Sequence, residues 1–343
     1  MEKVFVAAAR GLPTPHTPIW LNRQAGRYMP EYHVVKGDTP SLEFFKNPEL
    51  AAQATLDAQR ILGVDAAIMF ADLLPIMEPM GLTLDYLPGK GPQFANPVRT
   101  EADVAALQVL PAEEATPYIA GTVRNILDDL PAEIALIGFS GAPFTLASYA
   151  IEGEGSRNYV WVKKMMYEAP ALWRELMDKL VRQVSSYVQL QVASGVDAVQ
   201  LFDTWVGCLA PQDFLLHVKP HLQALLDDLR KHIDVPIIYF GTGNSHLLPC
   251  MQDLAFDVLA FDWRTPLRET WDAMGYRAVQ GNLDPIVLCA DKPTIAAQTG
   301  ALLASVADKQ GHIFNLGHGI IPETPVDNVK FLVDYVHEHG VHA

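Results

Sequence analysis

Two arginines lie four residues apart in the stretch 18–32, with the small residues Ala25 and Gly26 between them. Arg23 and Arg27 could therefore point the same way over one turn of the chain. Guanidinium groups bind carboxylates well, because they offer paired donors in a fixed plane. The same spacing suits two arginines that pair with acidic side chains nearby. The sequence thus predicts either a clamp for an anionic ligand or two structural ion pairs.

Other polar residues follow short apolar segments along the chain. They include Asp72, Thr204 and His318, and the last lies between two glycines that would let backbone and ring approach a ligand closely. By themselves, Asp72 suggests a helix cap and His318 suggests a histidine bound to a backbone carbonyl. The sequence shows no nucleophile beside a base, no phosphate-binding glycine loop and no metal-ligand spacing. What remains is a set of cations with a few carboxylates.

These residues follow apolar runs without polar alternation, which is typical of strands covered on both faces. Asn47-Pro48-Glu49 begins a helix that Gly63 ends. A longer helix begins at Pro170 and ends at Gly195. Eight strands are predicted, near residues 19–21, 67–70, 135–138, 199–202, 236–240, 258–261, 278–280 and 312–315. The pattern favours an α/β fold, a (β/α)8 TIM barrel with its functional residues at the carboxyl ends of strands.

The whole chain, residues 1–343, is expected to form one barrel domain, because such barrels typically have about 250 residues or more. The longest interval between predicted strands contains the segment 87–92, Leu-Pro-Gly-Lys-Gly-Pro. We interpret this segment as an excursion loop on the barrel and not as a linker between two domains.

Composition limits the partners. The chain has 25 basic and 40 acidic residues, a net charge of −15, which argues against nucleic acid and anionic membranes. Cys208, Cys250 and Cys289 lie far apart and are expected to be free thiols of a reducing compartment. No targeting segment and no apolar run long enough for a bilayer is visible. A cytoplasmic protein is therefore expected.

Several longer motifs resemble the uroporphyrinogen decarboxylase family. Residues 23–32, RQAGRYMPEY, are similar to the N-terminal fingerprint of that family, and residues 138–153 are similar to a second fingerprint. Shorter matches lie at residues 70–74, 200–205 and 315–320. The resemblance extends from about Ile19 to Val336, and a chance match of all five motifs in order is not credible.

The resemblance implies a (β/α)8 barrel, commonly a homodimer, that removes the carboxyl groups from the four acetates of uroporphyrinogen III. The product is coproporphyrinogen III, in tetrapyrrole (haem) biosynthesis, and no metal or organic cofactor takes part. Loss of CO2 from an acetate leaves electrons that need a sink. A pyrrole ring protonated at carbon can provide it, so the substrate supplies what a cofactor otherwise would.

The resemblance also implies roles for individual residues. Asp72 is expected beneath the macrocycle, where its carboxylate accepts pyrrole N–H groups and offsets positive charge on the ring. Arg23 and Arg27 are expected to hold substrate carboxylates, and one of them to assist proton delivery. Tyr149 and Thr204 are expected to donate hydrogen bonds to carboxylates. Because a free arginine is a poor acid, His318 or a bound water are alternative proton donors.

The sequence departs from the family pattern at two substrate-binding positions. Lys36 occupies a position where many relatives carry Arg, so that a paired contact with substrate becomes a single one. Thr204 stands where many relatives carry Ser, which keeps the hydroxyl and adds a methyl group. The segment 33–40 contains Gly37 and Asp38 and is predicted to form a mobile flap over the cavity mouth.

Two other functions are considered. A corrinoid or coenzyme-M methyltransferase has a similar fold but binds zinc through His and Cys at strand ends. Here His246 and Cys250 are four residues apart and lack further ligands nearby. The second alternative is a non-catalytic tetrapyrrole-binding barrel. The presence of Asp72 together with both arginines and Tyr149 argues against it, because a mere binder does not need the central carboxylate.

Overall fold

The computed structural model describes residues 2–87 and 91–342. Its strands are β1 (Ala66–Ile68), β2 (Leu84–Leu87), β3 (Gly91–Phe94), β4 (Ala135–Gly141), β5 (Ala198–Asp203), β6 (Ile237–Gly241), β7 (Val258–Ala260), β8 (Ala278–Gln280) and β9 (His312–Ile313). β1 and β4 to β9 form one sheet of seven parallel strands in chain order. These seven confirm seven of the predicted strands, with ends that differ by at most three residues.

The remaining predicted strand, residues 19–21, joins the two edges of this sheet through a single bridge. Ile19 pairs in parallel with Phe314, just beyond β9. On its other side, the carbonyl of Ile19 accepts the backbone N–H of Asp65, just before β1, at 2.9 Å. The segment thus closes the sheet, and the predicted (β/α)8 TIM barrel is confirmed.

Helices follow most of the strands. They are α1 (Val4–Ala9), α2 (Pro30–Lys36), α3 (Ser41–Lys46), α4 (Pro48–Leu62), α5 (Glu101–Ala106), α6 (Ala112–Ala115), α7 (Tyr118–Asp129), α8 (Pro143–Glu152), α9 (Val160–Glu168), α10 (Pro170–Ser194), α11 (Pro211–His217), α12 (Lys219–His232), α13 (Leu267–Met274), α14 (Lys292–Ser305) and α15 (Val326–His339). Short 3-10 helices span Pro75–Met77, Val206–Cys208, Ser245–Met251 and Pro285–Cys289. Both predicted helices are confirmed, as α4 and α10.

The ends of α4 show why the sequence signals are reliable. The Asn47 side chain accepts the N–H of Leu50 at 3.0 Å and so satisfies a donor that the first turn leaves open. At the other end Gly63 has φ 70°, a left-handed conformation that glycine adopts without strain.

A buried network of polar side chains crosses the interior of the barrel. Trp20 donates to Gln280 at 2.9 Å, and Gln280 donates to Gln200 at 2.9 Å. Gln200 in turn donates to the side chain of Asn22 at 3.2 Å. Buried polar groups are stable only when they are paired. The network therefore fixes the segment that leads from Ile19 to Arg23 against the strands.

The predicted excursion loop belongs to a β-hairpin. β2 and β3 pair antiparallel, from Leu84 opposite Phe94 to Leu87 opposite Gly91. Residues 88–90 of the predicted loop lie outside the described residues. The hairpin is inserted between β1 and β4 and carries Tyr86 to the carboxyl ends of the barrel strands.

The opposite end of the barrel is covered by α1. Phe5 and Ala8 of this helix are fully buried and pack against Ala66, Ala135 and other residues of the barrel interior. Among the helices that the structure describes, none is long and apolar enough to cross a bilayer.

Candidate active site

A cavity of about 1000 Å³ opens at the carboxyl ends of the strands. Six of the predicted site residues line it, namely Arg23, Arg27, Asp72, Tyr149, Thr204 and His318. Much of the remaining wall is aromatic and comes from Tyr32, Phe45, Phe70, Phe139, Phe202, Trp205 and Phe240. The cavity therefore combines flat apolar surfaces with a few polar groups, the usual composition of a site for a large organic ligand.

Asp72 follows β1 and has two hydrogen bonds to the same oxygen. Its Oδ1 accepts the backbone N–H of Leu74 at 3.0 Å and the hydroxyl of Tyr86 at 2.6 Å. Burial raises the pKa of Asp72, although these hydrogen bonds and the charge of Arg23 act in the opposite direction. The aspartate thus caps the turn before Pro75–Met77 and also faces the cavity, so the two interpretations of Asp72 are compatible.

Arg23 and Arg27 are exposed to the cavity. Within residues 2–87 and 91–342, neither guanidinium forms an ion pair. The structure thus favours the ligand clamp over the two structural ion pairs. Arg23 has φ 63°, an uncommon conformation for a residue with a side chain, and such conformations often occur at functional sites.

The glycines beside His318 are required by the protein itself. A Cβ atom at Gly319 would lie 2.4 Å from Cδ of Arg23, and one at Gly317 would lie 2.2 Å from the backbone nitrogen of Trp263. The glycines therefore make room for the Arg23 side chain and for the segment after β7. Close approach of a ligand to His318 stays a prediction.

His318 is a neutral imidazole at neutral pH. Its Nδ1 accepts the N–H of Gly319 at 2.8 Å, so in the neutral ring the proton is on Nε2. Burial and the nearby charges of Arg23 and Arg264 lower the pKa of His318 to about 4. The ring can therefore donate a hydrogen bond through Nε2 but holds little imidazolium to act as an acid.

Tyr149 and Thr204 lie on the wall near Trp205. The rings of Tyr149 and Trp205 have centroids 3.8 Å apart, which holds the phenol in place. Burial and the charge of Asp72 raise the pKa of Tyr149 to about 12, so its hydroxyl remains a hydrogen-bond donor. Both residues can thus donate to an anionic group in the cavity.

A fully buried carboxyl supports this wall from behind. Asp203 accepts hydroxyl hydrogen bonds from Thr145 and Tyr239, each at 2.7 Å. Thr145 also accepts the backbone N–H of Trp205 at 3.3 Å. Burial raises the pKa of Asp203 to about 6. This network positions Thr204 and Trp205, and it requires no contact with a ligand.

Lys36 is not part of this group. It lies at the end of α2, does not line the cavity, and its ammonium donates to the carbonyl of Thr39 at 2.7 Å. The surrounding segment 33–40 is the end of α2 followed by a turn in which Gly37 has φ 48°. Motion of this segment as a flap remains a prediction.

Tyr86 and Asn22 also line the cavity, although neither is among the site residues predicted from the sequence. Tyr86 lies on the inserted hairpin, and nothing in its local pattern indicates that it contacts Asp72. Asn22 lines the cavity and is held by Gln200 and by Asn315, whose side chain accepts the Asn22 N–H at 2.9 Å. The signal for Asn22 was a polar residue directly after an apolar run, next to Arg23.

The predicted zinc alternative finds no support at the strand ends. His246 is bound through Nε2 to the carbonyl of Leu209 at 2.8 Å. In the described part of the chain, the one group of three side chains that could hold a metal ion is His16, Asp65 and His337, which contains no cysteine. That group lies at the opposite end of the barrel from the cavity.

Comparison with known proteins connects this cavity to a family. The family model described as uroporphyrinogen decarboxylase (URO-D) matches residues 2–339. Uroporphyrinogen decarboxylase from Roseiflexus sp. (strain RS-1) is 48% identical over 341 residues, 98% of each chain. The one from Carboxydothermus hydrogenoformans is 46% identical over 339 residues, 98% of this chain and 97% of its own.

The fold is also that of a solved structure, a methyltransferase from Methanosarcina mazei. That structure has a TM-score of 0.82 over 98% of this chain and 99% of its own, at 21% identity. At such low identity the similarity concerns the fold alone. The sequence matches, in contrast, cover nearly the whole chain and include the residues around the cavity. The chain belongs to the uroporphyrinogen decarboxylase family.

Proposed function

We propose that this chain removes the acetate carboxyl groups of uroporphyrinogen III and releases coproporphyrinogen III and CO2, as one barrel domain without a metal or organic cofactor. Family membership supports the reaction, and the cavity supports the substrate class. Its aromatic walls suit a large flat ring, and its free guanidinium groups suit carboxylates.

One observation carries the proposal most strongly. A single carboxylate, Asp72, faces the same cavity as two arginines that have no acidic partner within the described residues. A clamp for carboxylates alone would need no acid, since like charges repel. The acid is useful if the ligand also has N–H groups or develops positive charge, and a pyrrole ring protonated at carbon does both.

Each decarboxylation balances as follows. A proton adds to a pyrrole carbon, and the ring becomes cationic. The bond between the acetate methylene and its carboxyl then breaks, CO2 leaves, and the electron pair forms an exocyclic double bond to the ring. A proton adds to that methylene to give a methyl group, and the ring carbon loses its added proton. The net change is one proton consumed for each CO2 released.

The residues are assigned roles in this sequence. Asp72 accepts pyrrole N–H groups and offsets the ring charge, with Oδ2 the more available oxygen because Leu74 and Tyr86 both bind Oδ1. Arg23 and Arg27 bind substrate carboxylates. Tyr149 and Thr204 donate further hydrogen bonds to them.

We assign His318 a hydrogen bond through Nε2 and not the delivery of protons. The pKa of about 4 supports this assignment, since the imidazole is then almost entirely neutral at neutral pH. Proton delivery is then assigned to a bound water, with one of the two arginines as its partner.

The decisive experiment is an anaerobic assay of the purified protein with reduced uroporphyrinogen III. Chromatography follows the number of carboxyl groups lost, with and without a chelator. Progressive conversion to the four-carboxyl product, at the same rate with and without the chelator, supports the proposal. Loss of turnover with chelator while the chain remains fully folded would favour the methyltransferase. Tight binding without turnover would favour the non-catalytic barrel.

We further propose that the protein is a homodimer. Five large apolar side chains of α9 and α11 are exposed, namely Val160, Trp161, Tyr167, Leu215 and Leu216. The hydroxyl of Tyr167 donates to Asp213 at 2.8 Å and joins the two helices. Exposed apolar side chains on linked helices suit an interface between two copies of the chain. Light scattering after gel filtration tests this, and Leu216→Glu should shift the mass to that of the monomer.

We propose the cytoplasm as the place of action. The three cysteines are free, although Cys289 is exposed, which suits a reducing compartment. Fractionation of cells that express the tagged chain at native level tests the location.

A further inference from the structure

Three side chains meet at the amino-terminal end of the barrel, opposite the cavity. Nε2 of His16 lies 3.2 Å from Oδ1 of Asp65, and Nε2 of His337 lies 2.9 Å from Oδ2. One ligand atom from each residue lies within 4.8 Å of those from the other two. All three are partly accessible, with side-chain exposures of 26%, 16% and 33% for His16, Asp65 and His337.

The spacing of these atoms suits a transition-metal ion. Two ligands that are each about 2.1 Å from zinc lie about 3.0–3.4 Å apart at octahedral or tetrahedral angles. The two nitrogen–oxygen distances, 3.2 Å to Oδ1 for His16 and 2.9 Å to Oδ2 for His337, are close to that interval. The imidazole rings are nearly perpendicular, at 81°, with centroids 5.4 Å apart, so that their nitrogens converge on one carboxylate without stacking.

A backbone group holds the Asp65 carboxylate in place. The Ile19 N–H donates to Oδ2 at 2.8 Å and orients the group. A metal ligand that a backbone group orients loses less freedom on binding.

We propose that His16, Asp65 and His337 form a binding site for one divalent transition-metal ion, such as Zn²⁺, Co²⁺ or Cu²⁺, with water in the remaining positions. Two imidazoles with one carboxylate select these ions over Mg²⁺ and Ca²⁺, which prefer oxygen ligands. The proposal is independent of the proposed reaction, because the cavity lies at the other end of the barrel.

Such an ion would join three parts of the chain that are distant in sequence. His16 lies in the segment that forms an antiparallel bridge to Val341, Asp65 immediately precedes β1, and His337 lies on α15. The ion would therefore link the N-terminal segment and the C-terminal helix to the first full strand of the barrel. Its role would be to stabilise the fold, since any ligand that binds only the folded chain does so.

The test uses tag-free protein, cleared of metal with a chelator and then dialysed. Co²⁺ is titrated and its visible spectrum recorded, and Cu²⁺ is examined by electron paramagnetic resonance. We expect one ion per chain, nitrogen couplings in the Cu²⁺ spectrum and a higher midpoint of thermal unfolding with Zn²⁺. Absence of one-to-one binding by this wild-type protein would overturn the proposal, whatever the behaviour of variants.

Variants then locate the ion. His16→Gln and His337→Gln should each weaken Co²⁺ binding by more than the roughly 10- to 100-fold that loss of an outer-shell partner costs. His339→Gln is the matched control, because His339 lies on the same helix and its Nδ1 is bound to the carbonyl of Tyr335 at 3.0 Å. If His16→Gln and His337→Gln both bind Co²⁺ as tightly as wild type, or if His339→Gln loses Co²⁺ binding, the ion lies elsewhere and the proposed site is refuted.

Discussion

Two aspartates, Asp65 and Asp72, flank β1, and their surroundings differ in kind. At the amino-terminal end, Asp65 is bound by two histidines and a backbone N–H, and its pKa is lowered to about 2. At the carboxyl end, Asp72 is bound by one hydroxyl and one N–H, both on the same oxygen, and burial raises its pKa. The Asp65 carboxylate is paired through both oxygens with groups at the amino-terminal end, and the Asp72 carboxylate keeps one oxygen available to the cavity.

The same contrast applies to the basic side chains at the two ends. Within the described chain, His16 and His337 each lie beside a carboxylate, whereas Arg23 and Arg27 have no acidic partner. The chain has 40 acidic and 25 basic residues, so two arginines without an acidic partner in the described residues are available to an anionic ligand. The unpaired arginines at the carboxyl end therefore serve ligand binding more than stability. The paired histidines at the amino-terminal end serve stability more than ligand binding in the cavity.

The contrast predicts that Asp72→Asn abolishes most turnover and leaves the fold intact. The amide keeps the shape but cannot offset the charge of a protonated pyrrole, so kcat should fall by roughly 100- to 1,000-fold. Thermal unfolding should be close to wild type. The anaerobic assay and calorimetry measure the two quantities. A normal kcat would contradict the role of Asp72.

The reverse outcome is predicted for Asp65→Asn. The amide oxygen can still accept the Ile19 N–H, but the pairs with His16 and His337 are lost, which should lower the free energy of unfolding by about 1–3 kcal/mol. Because Asp65 lies far from the cavity, kcat should be unchanged. Urea unfolding in buffer with chelator measures the stability without a contribution from bound metal. If kcat falls although Asp65→Asn is fully folded, the amino-terminal end of the barrel also contributes to catalysis, and the distinction between the two ends is wrong.

The sequence was sufficient to predict the barrel because its strands are covered on both faces. Their apolar runs are visible without any knowledge of contacts, and so are the capping signals of Asn47 and Gly63. The residues at strand ends, such as Asp72 and Thr204, follow from the same pattern. The segment at Ile19 was predicted as a full strand, but it forms only a single bridge, at the place where the barrel closes.

What the sequence could not predict depends on contacts between distant segments. Tyr86 reaches Asp72 only because the hairpin folds back over the barrel end. The Lys36 ammonium turns towards Thr39 because a turn follows α2, and no spacing rule indicates this. The low pKa of His318 results from burial beside Arg23 and Arg264, which meet it only in the folded chain.

A smaller effect is predicted for Tyr86→Phe, which removes one of the two hydrogen bonds to Asp72. That bond stabilises the carboxylate, so its loss should raise the pKa of Asp72 further. We expect kcat to fall by up to about tenfold, KM to change little, and the acidic limb of the kcat profile to move to higher pH.

The matched control is Tyr118→Phe, because Tyr118 is partly buried and does not line the cavity. If Tyr86 acts on the pKa of Asp72, the acidic limb of the profile moves. If Tyr86 only packs the hairpin, activity falls by the same factor at every pH. An unmoved profile would therefore assign Tyr86 to packing.

The smallest effect concerns His318 and stability. Its pKa is about 4 in the folded chain, against 6.5 as the ordinary value, so between these values only the unfolded chain takes up the proton. Acidification through this window therefore favours unfolding, by at most about 1.4 kcal/mol per pH unit. Urea unfolding from neutral pH downward should show a flatter decline for His318→Gln than for wild type. His339→Gln controls for the loss of an exposed imidazole. Identical curves for His318→Gln and wild type would mean that folding does not lower the pKa of His318, which would return the ring to the candidate proton donors.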